Sequence, residues 1–125
     1  MRLAIVGSSV TRVCFDYALT IFTSSDYELR IETKSTIKVA DKGPTSFEPE
    51  DPAAVASKLL SLVGMEVSEA MAIETGLLML RFDMNAELLA EPHVEYEAWS
   101  LSGPGGERVV CMPGGELAIW KRASD

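Results

Sequence analysis

The sequence predicts a mainly β, α+β fold: two similar antiparallel three-stranded meanders forming a half-barrel or sandwich, one helix between them, and a C-terminal β-meander. Three observations carry this expectation. Short stretches of alternating apolar and polar residues recur along the chain, divided by Gly, Pro, Ser and Asp turn chemistry. Only one stretch has helical spacing. Two stretches repeat the same order of features, as a repeat architecture would. The 125 residues have the length of one domain, and 47% hydrophobic with 24% charged residues is a globular balance.

The first meander is expected within 5–33. Val10 to Phe15 forms its first strand, Leu19 to Thr23 its second, and Ser24-Ser25-Asp26 a polar reversal. Tyr27, Leu29 and Ile31 then alternate with Glu28, Arg30 and Glu32, the pattern of a half-buried antiparallel strand. A linker with the helix occupies 34–63: a short strand at Thr36 to Val39, a loop from Asp41 to Glu50, and a helix from Pro52 to Val63. Asp51 is suited to cap that helix, Pro52 to its first turn and Gly64 to its end. Val55, Leu59, Leu62 and Val63 form its apolar stripe.

The second meander, within 63–91, has strands at Val67 to Ile73, Leu77 to Phe82 and Glu87 to Ala90. It repeats the first: Val6-Gly7-Ser8-Ser9-Val10 resembles Val63-Gly64-Met65-Glu66-Val67, and both halves continue to a phenylalanine, a polar reversal and a leucine-containing strand. A three-stranded unit is too small to bury its apolar face alone, so the two copies should pack together. The C-terminal meander, 95–121, comprises Tyr96 to Leu101, Arg108 to Met112 and Leu117 to Trp120, with Gly- and Pro-rich turns between them. Val13, Phe15, Leu29, Leu59, Leu62, Leu80, Phe82, Trp99 and Ile119 are the expected core, and Trp99 and Trp120 are expected as packing anchors on outer strands.

The stretches Tyr96-Glu97-Ala98-Trp99, Ser102-Gly103-Pro104 and Cys111 to Trp120 resemble the ending of an uncharacterised actinobacterial family of small β-rich domains, with a Pro-Gly-Gly-Glu-Leu-Ala-x-Trp signature. Gly7, Val10, Asp16-Tyr17, Leu19 and Arg30-Ile31-Glu32-Thr33 are similar to the family's opening. Members commonly have an Asp-Gly turn where this chain has Asp26-Tyr27 and Asp83-Met84. The resemblance implies a domain boundary but no activity.

Chemistry-bearing motifs are sparse. Arg2 to Ser9 resembles a strand entering a phosphate-binding turn, yet it lacks the further glycines, the following helix and the Gly-Lys-Ser/Thr that such sites use. There is no Gly-x-Ser-x-Gly elbow for a serine hydrolase. Cys14 and Cys111 are far apart in apolar stretches and read as buried free thiols. His93 is the sole histidine. If its segment is extended, His93, Glu95 and Glu97 share one face, with neighbours about 6.8 Å apart and the outer pair too distant for one metal. A charged edge strand is the alternative reading of the same residues. No catalytic residue, metal site or cofactor is assigned.

Charge is the more informative lead. Eleven Lys and Arg stand against 19 Asp and Glu, a net charge of −8. From Gly64 to Trp99 the acids are Glu66, Glu69, Glu74, Asp83, Glu87, Glu91, Glu95 and Glu97, with Arg81 the one base. Such a surface repels nucleic-acid phosphates and attracts basic proteins. The expectation is a non-enzymatic protein-binding module in which Glu66, Glu69, Glu95, Glu97 and His93 contact an unknown basic protein. An immunity-like protein that binds a basic toxin is its most concrete form. The alternative is a small-ligand binder or enzyme with a pocket between the duplicated halves and His93 at its rim. No nucleic acid or membrane is expected as partner, a homodimer is one way to cover the sheet edges, and the absence of a leader or spanning stretch reads as cytoplasmic.

Overall fold

A computed structural model describes residues 1–122; residues 123–125, part of the unit expected from the sequence, lie outside the described residues. Eleven strands are described: β1 Val10–Asp16, β2 Ala18–Thr23, β3 Glu28–Ile31, β4 Ser35–Val39, β5 Thr45–Phe47, β6 Val67–Ala72, β7 Leu78–Phe82, β8 Ala86–Ala90, β9 Trp99–Ser102, β10 Arg108–Cys111 and β11 Leu117–Trp120. They form two antiparallel sheets, one of six strands ordered β1-β2-β3-β9-β10-β11 and one of five ordered β5-β4-β8-β7-β6. The result is a mainly β sandwich and not a half-barrel closed on itself. Alternation explains the layering: Leu19, Ile21, Leu29, Ile31, Trp99 and Leu101 from one sheet, and Ile37, Leu78, Leu80, Leu88 and Val67 from the other, are buried in one core.

The two chain paths after Gly7 and Gly64 make matching contacts. Gly7 N donates to Val67 O and Gly64 N to Val10 O, both at 2.8 Å; Val67 N donates to Ser8 O and Val10 N to Met65 O, both at 2.9 Å. Both glycines have positive φ, near 91° and 93°, which lets the chain turn into the next strand without a Cβ clash. The register of β1 on β2 shifts between Val10 and Arg12, and that of β6 on β7 between Val67 and Glu69. Each hairpin that follows has a left-handed residue at its tip, Asp26 or Asn85, types that tolerate this conformation through their short polar side chains. The outer side of β6 is covered by the start of the chain: Leu3 N donates to Ala70 O and Ala72 N to Met1 O.

Several expected elements differ. The helix is shorter than Pro52 to Val63: a 3-10 turn, Ala53–Val55, leads into α1, Ala56–Leu60, with Pro52 at the cap position and no capping side chain. Asp51 is instead bridged to Glu48. Leu62 N and Val63 N bond back three residues, to Leu59 O and Leu60 O. That tighter winding rotates Val63 off the apolar stripe, so it is exposed while Val55, Leu59 and Leu62 are buried. The expected loop from Asp41 to Glu50 contains β5, whose three residues pair with β4 and bury Phe47.

Within the expected core, Leu29, Leu59, Leu62, Leu80, Phe82 and Trp99 are buried, and Val13 and Phe15 on edge strand β1 pack against the core while partly open. Ile119 and Trp120 are not core residues; both are about half exposed. They sit on β11, the last strand of the wider sheet, where the opposing layer no longer covers it. Cys14 is only half-buried, since it too lies on an edge strand, whereas Cys111 is buried; both thiols are free.

Candidate functional site

The residues singled out by sequence are spread over three places. Glu66 follows Gly64 at the junction of the two meanders, where its backbone bridges Ser9 and its N–H donates to Asp83 Oδ1 at 3.0 Å. The residue is exposed. Glu69 lies on β6 in a cross-strand row of alternating charge, Glu69–Arg81–Glu87–Lys38, set by the registers of β6, β7, β8 and β4. Arg81 Nη1 is 3.2 Å from Glu69 Oε2, and Arg81 Nε donates to Glu87 Oε2 at 3.0 Å. The Arg81 pKa is raised, first by the hydrogen bond to Glu87 and then by the charges of Glu69 and Glu87. Glu69 is therefore a partner in an ion-pair row rather than a free anion.

His93, Glu95 and Glu97 do not share a strand face. Residues 91–98 form a bent connection carrying the chain from β8 in one sheet to β9 in the other. Pro92 interrupts ladder donation, and the segment is then held by its own side chains. Glu95 N donates to His93 Nδ1 at 3.0 Å, which places the ring proton on Nε2, and the imidazole stacks on Tyr96 with centroids 3.7 Å apart. Gly114 N donates to His93 O at 2.8 Å, fastening the bend to the β10–β11 hairpin.

This bend separates two open depressions. His93 and Tyr96 line one of about 700 Å³ with Thr33, Lys34, Glu48, Glu50, Glu91 and Pro92. Its walls are connecting segments, among them Thr33 and Glu91, the last residues of the two expected meanders. Glu95 and Glu97 line the other, of about 590 Å³, with Glu32, Tyr17, Tyr96, Met112 and Pro113. Tyr17 is the left-handed residue of the β1–β2 turn and is 88% exposed. Glu32 has Arg30 at 3.7 Å, while Glu95 and Glu97 make no ion pair among the described residues. Three carboxylates thus border a surface with exposed aromatic and apolar groups. Tyr17 and Glu32 escaped the sequence reading, because nothing local links residues 17 and 32 to 95 and 97. The family resemblance passes through both positions but assigns them no role.

No cluster of three or more His, Cys, Asp or Glu arranged to hold a metal ion exists among the described residues. Cys111 is boxed in: its Sγ is 3.4 Å from Gly76 O, and burial pushes the thiol pKa up. A raised thiol pKa disfavours the thiolate, the nucleophilic form. No helix among the described residues is long and apolar enough to cross a membrane.

A family model, described as a family of unknown function, matches residues 1–121. The chain belongs to that family, DUF6188. Comparisons with curated proteins and with solved structures returned no match. Membership in DUF6188 thus takes in both meanders, the helix and the C-terminal strands, and brings no activity with it.

Proposed function

We propose that the protein is a non-enzymatic, cytoplasmic protein-binding module whose acidic depression docks a basic protein surface. The observation that carries this reading is the placement of Glu95 and Glu97 beside Glu32, Tyr17 and Tyr96, with neither Glu95 nor Glu97 in an ion pair among the described residues. Unpaired carboxylates beside exposed aromatic rings combine electrostatic steering with desolvatable contact area, and tyrosine is among the residues that dominate binding energies. Glu66 contributes to the long-range field; Glu69 contributes less, because Arg81 is beside it. An immunity-like role against a basic toxin is the most concrete version.

The test is co-precipitation with tagged protein at low and at moderately high salt. A specific basic partner is expected at low salt, lost on Glu95→Lys with Glu97→Lys or on Tyr17→Ala, and retained with Glu69→Gln. Binding that ignores both salt and the charge reversals defeats the proposal.

A second reading places a small polar ligand in the His93 depression, favoured by the presence there of Lys34 beside Glu48, Glu50, Glu91 and His93. Chemical-shift changes confined to those residues on adding a metabolite mixture, unaltered by Glu95→Lys, would support it over the first.

A further inference from the structure

On the other side of the fold the charge is reversed. Leu29, Leu101, Val109 and Ile119 stand opposite one another across β3, β9, β10 and β11. They lie on the inner face of the six-stranded sheet, and their exposure rises along the row from 1% to 4%, 9% and 51%. The apolar face therefore continues past the layer that covers it. A groove of about 230 Å³ follows, with Leu3, Ala4, Ile119 and Trp120 in its lining. Arg2, Arg108, Lys121 and Arg122 also border it, with Glu107 the only acid among the described residues of the lining. Glu107 is 3.6 Å from Arg122, and Arg108 lies over the Trp120 ring, 5.8 Å from its centroid. Among the described residues, four cations and one carboxylate around the groove contrast with the net −8 of the whole chain. Along the same groove β11 ends its sheet, and its outer side makes no backbone hydrogen bond among the described residues.

We propose that this groove and the open edge of β11 receive an extended, acidic segment of another protein as a seventh strand, with apolar side chains at alternate positions filling the groove between Ile119 and Leu3. Strand addition satisfies the idle backbone groups of β11, and period-two side chains place one set in the groove and the other outside it. The cations select the occupant. A second copy of this chain joined edge to edge through β11 brings two basic rims together, whereas an acidic strand meets Arg2, Arg108 and Lys121 with opposite charge. At contact distance each such pair attracts where a like-charged pair would repel. The site is distinct from the acidic depression and does not depend on it.

The probe is a short fluorescent peptide alternating Glu and Val, compared with its Lys and Val counterpart on the full chain. The acidic peptide is expected to bind in a salt-sensitive manner and to shift the emission of Trp120, Trp99 being buried. Affinity should fall about tenfold or more on Ile119→Asp, and on Lys121→Glu combined with Arg2→Glu, with circular dichroism unchanged. N-methylation of the peptide along one edge should abolish binding, and along the other should be tolerated. The proposal is overturned if neither peptide binds, if the basic peptide binds as well, if the charge reversals leave affinity unaltered, or if sedimentation shows a β11-mediated dimer that the acidic peptide cannot displace.

Discussion

The indole Nε1 of Trp99 donates a hydrogen bond of 2.9 Å to the carbonyl of Gly76, joining the middle of the six-stranded sheet to the β6–β7 turn of the other. Trp99 is 1% exposed, so the bond is made where water cannot replace it. It fixes the separation of the layers at a point where side chains alone would allow sliding. Gly76 O also receives Cys111 Sγ at 3.4 Å.

Trp99→Phe keeps most of the ring and removes the donor. A weak thiol contact is left to satisfy a buried carbonyl, so the loss is about 1–3 kcal/mol. Thermal unfolding is expected several degrees lower with the native fold retained. A midpoint equal to that of the parent would mean that the hydrogen bond to Gly76 adds nothing to stability.

The same turn depends on two glycines in contact. A Cβ on Gly76 would lie 2.6 Å from Gly115 Cα, and one on Gly115 would lie 2.1 Å from Thr75 O; both residues have φ above +90°. Backbone atoms cannot yield as a flexible side chain would. Gly76→Ala and Gly115→Ala should each destabilise by more than the roughly 1 kcal/mol typical of an ordinary glycine-to-alanine change. Because they disrupt one contact, the double variant should cost less than the two singles together. Additive losses in urea unfolding would show that the two turns do not support each other.

Cys111 supplies a pH dependence. Burial raises its pKa above the ordinary thiol value of 9.0, so the folded protein holds this proton at pH values where the unfolded chain releases it. Its contribution is fully present below the unfolded thiol pKa and declines as pH rises through the folded value. Stability should therefore fall on the alkaline side, and Cys111→Ser or Cys111→Ala should flatten that limb of the profile. Iodoacetamide should label half-buried Cys14 first and reach Cys111 only with unfolding. Equal labelling of both thiols in native buffer would contradict this.

Most strands were legible because period-two alternation over four to seven residues records a buried face directly, and β2, β3, β7, β8 and β11 match it within a residue or two. Three-residue β5 is too short to carry a period. The end of the helix was misplaced because Val63 satisfies the spacing of an α-helix that has already tightened to three residues per turn. Ile119 has the parity of a core residue, yet parity reports a face and not whether another layer covers it. The same limit governed the site. Glu69 counted as an acid in composition, but its neutralisation depends on the register that puts Arg81 opposite. His93, Glu95 and Glu97 would share a face only on a strand, and the His93 side chain bends that segment by accepting a hydrogen bond from Glu95 N.

The matching of the two meanders extends to side chains and can be measured. Ser9 N donates to Ser24 Oγ, and Glu66 N to Asp83 Oδ1, both at 3.0 Å. In return Ser24 N donates to Ser9 O at 2.8 Å and Asp83 N to Glu66 O at 3.0 Å. Different residue types thus supply the same acceptor at the same place in each half. Ser24→Ala and Asp83→Ala each remove one acceptor from a partly solvated N–H, and each should cost about 0.5–1.5 kcal/mol, while Asp83→Asn, which keeps an oxygen acceptor, should cost less. The sites do not share a partner, so the double variant should be close to additive. Hydrogen exchange should quicken at Ser9 in the first variant and at Glu66 in the second. Loss of protection in both halves from either single change would instead mean that the junction opens as one cooperative unit.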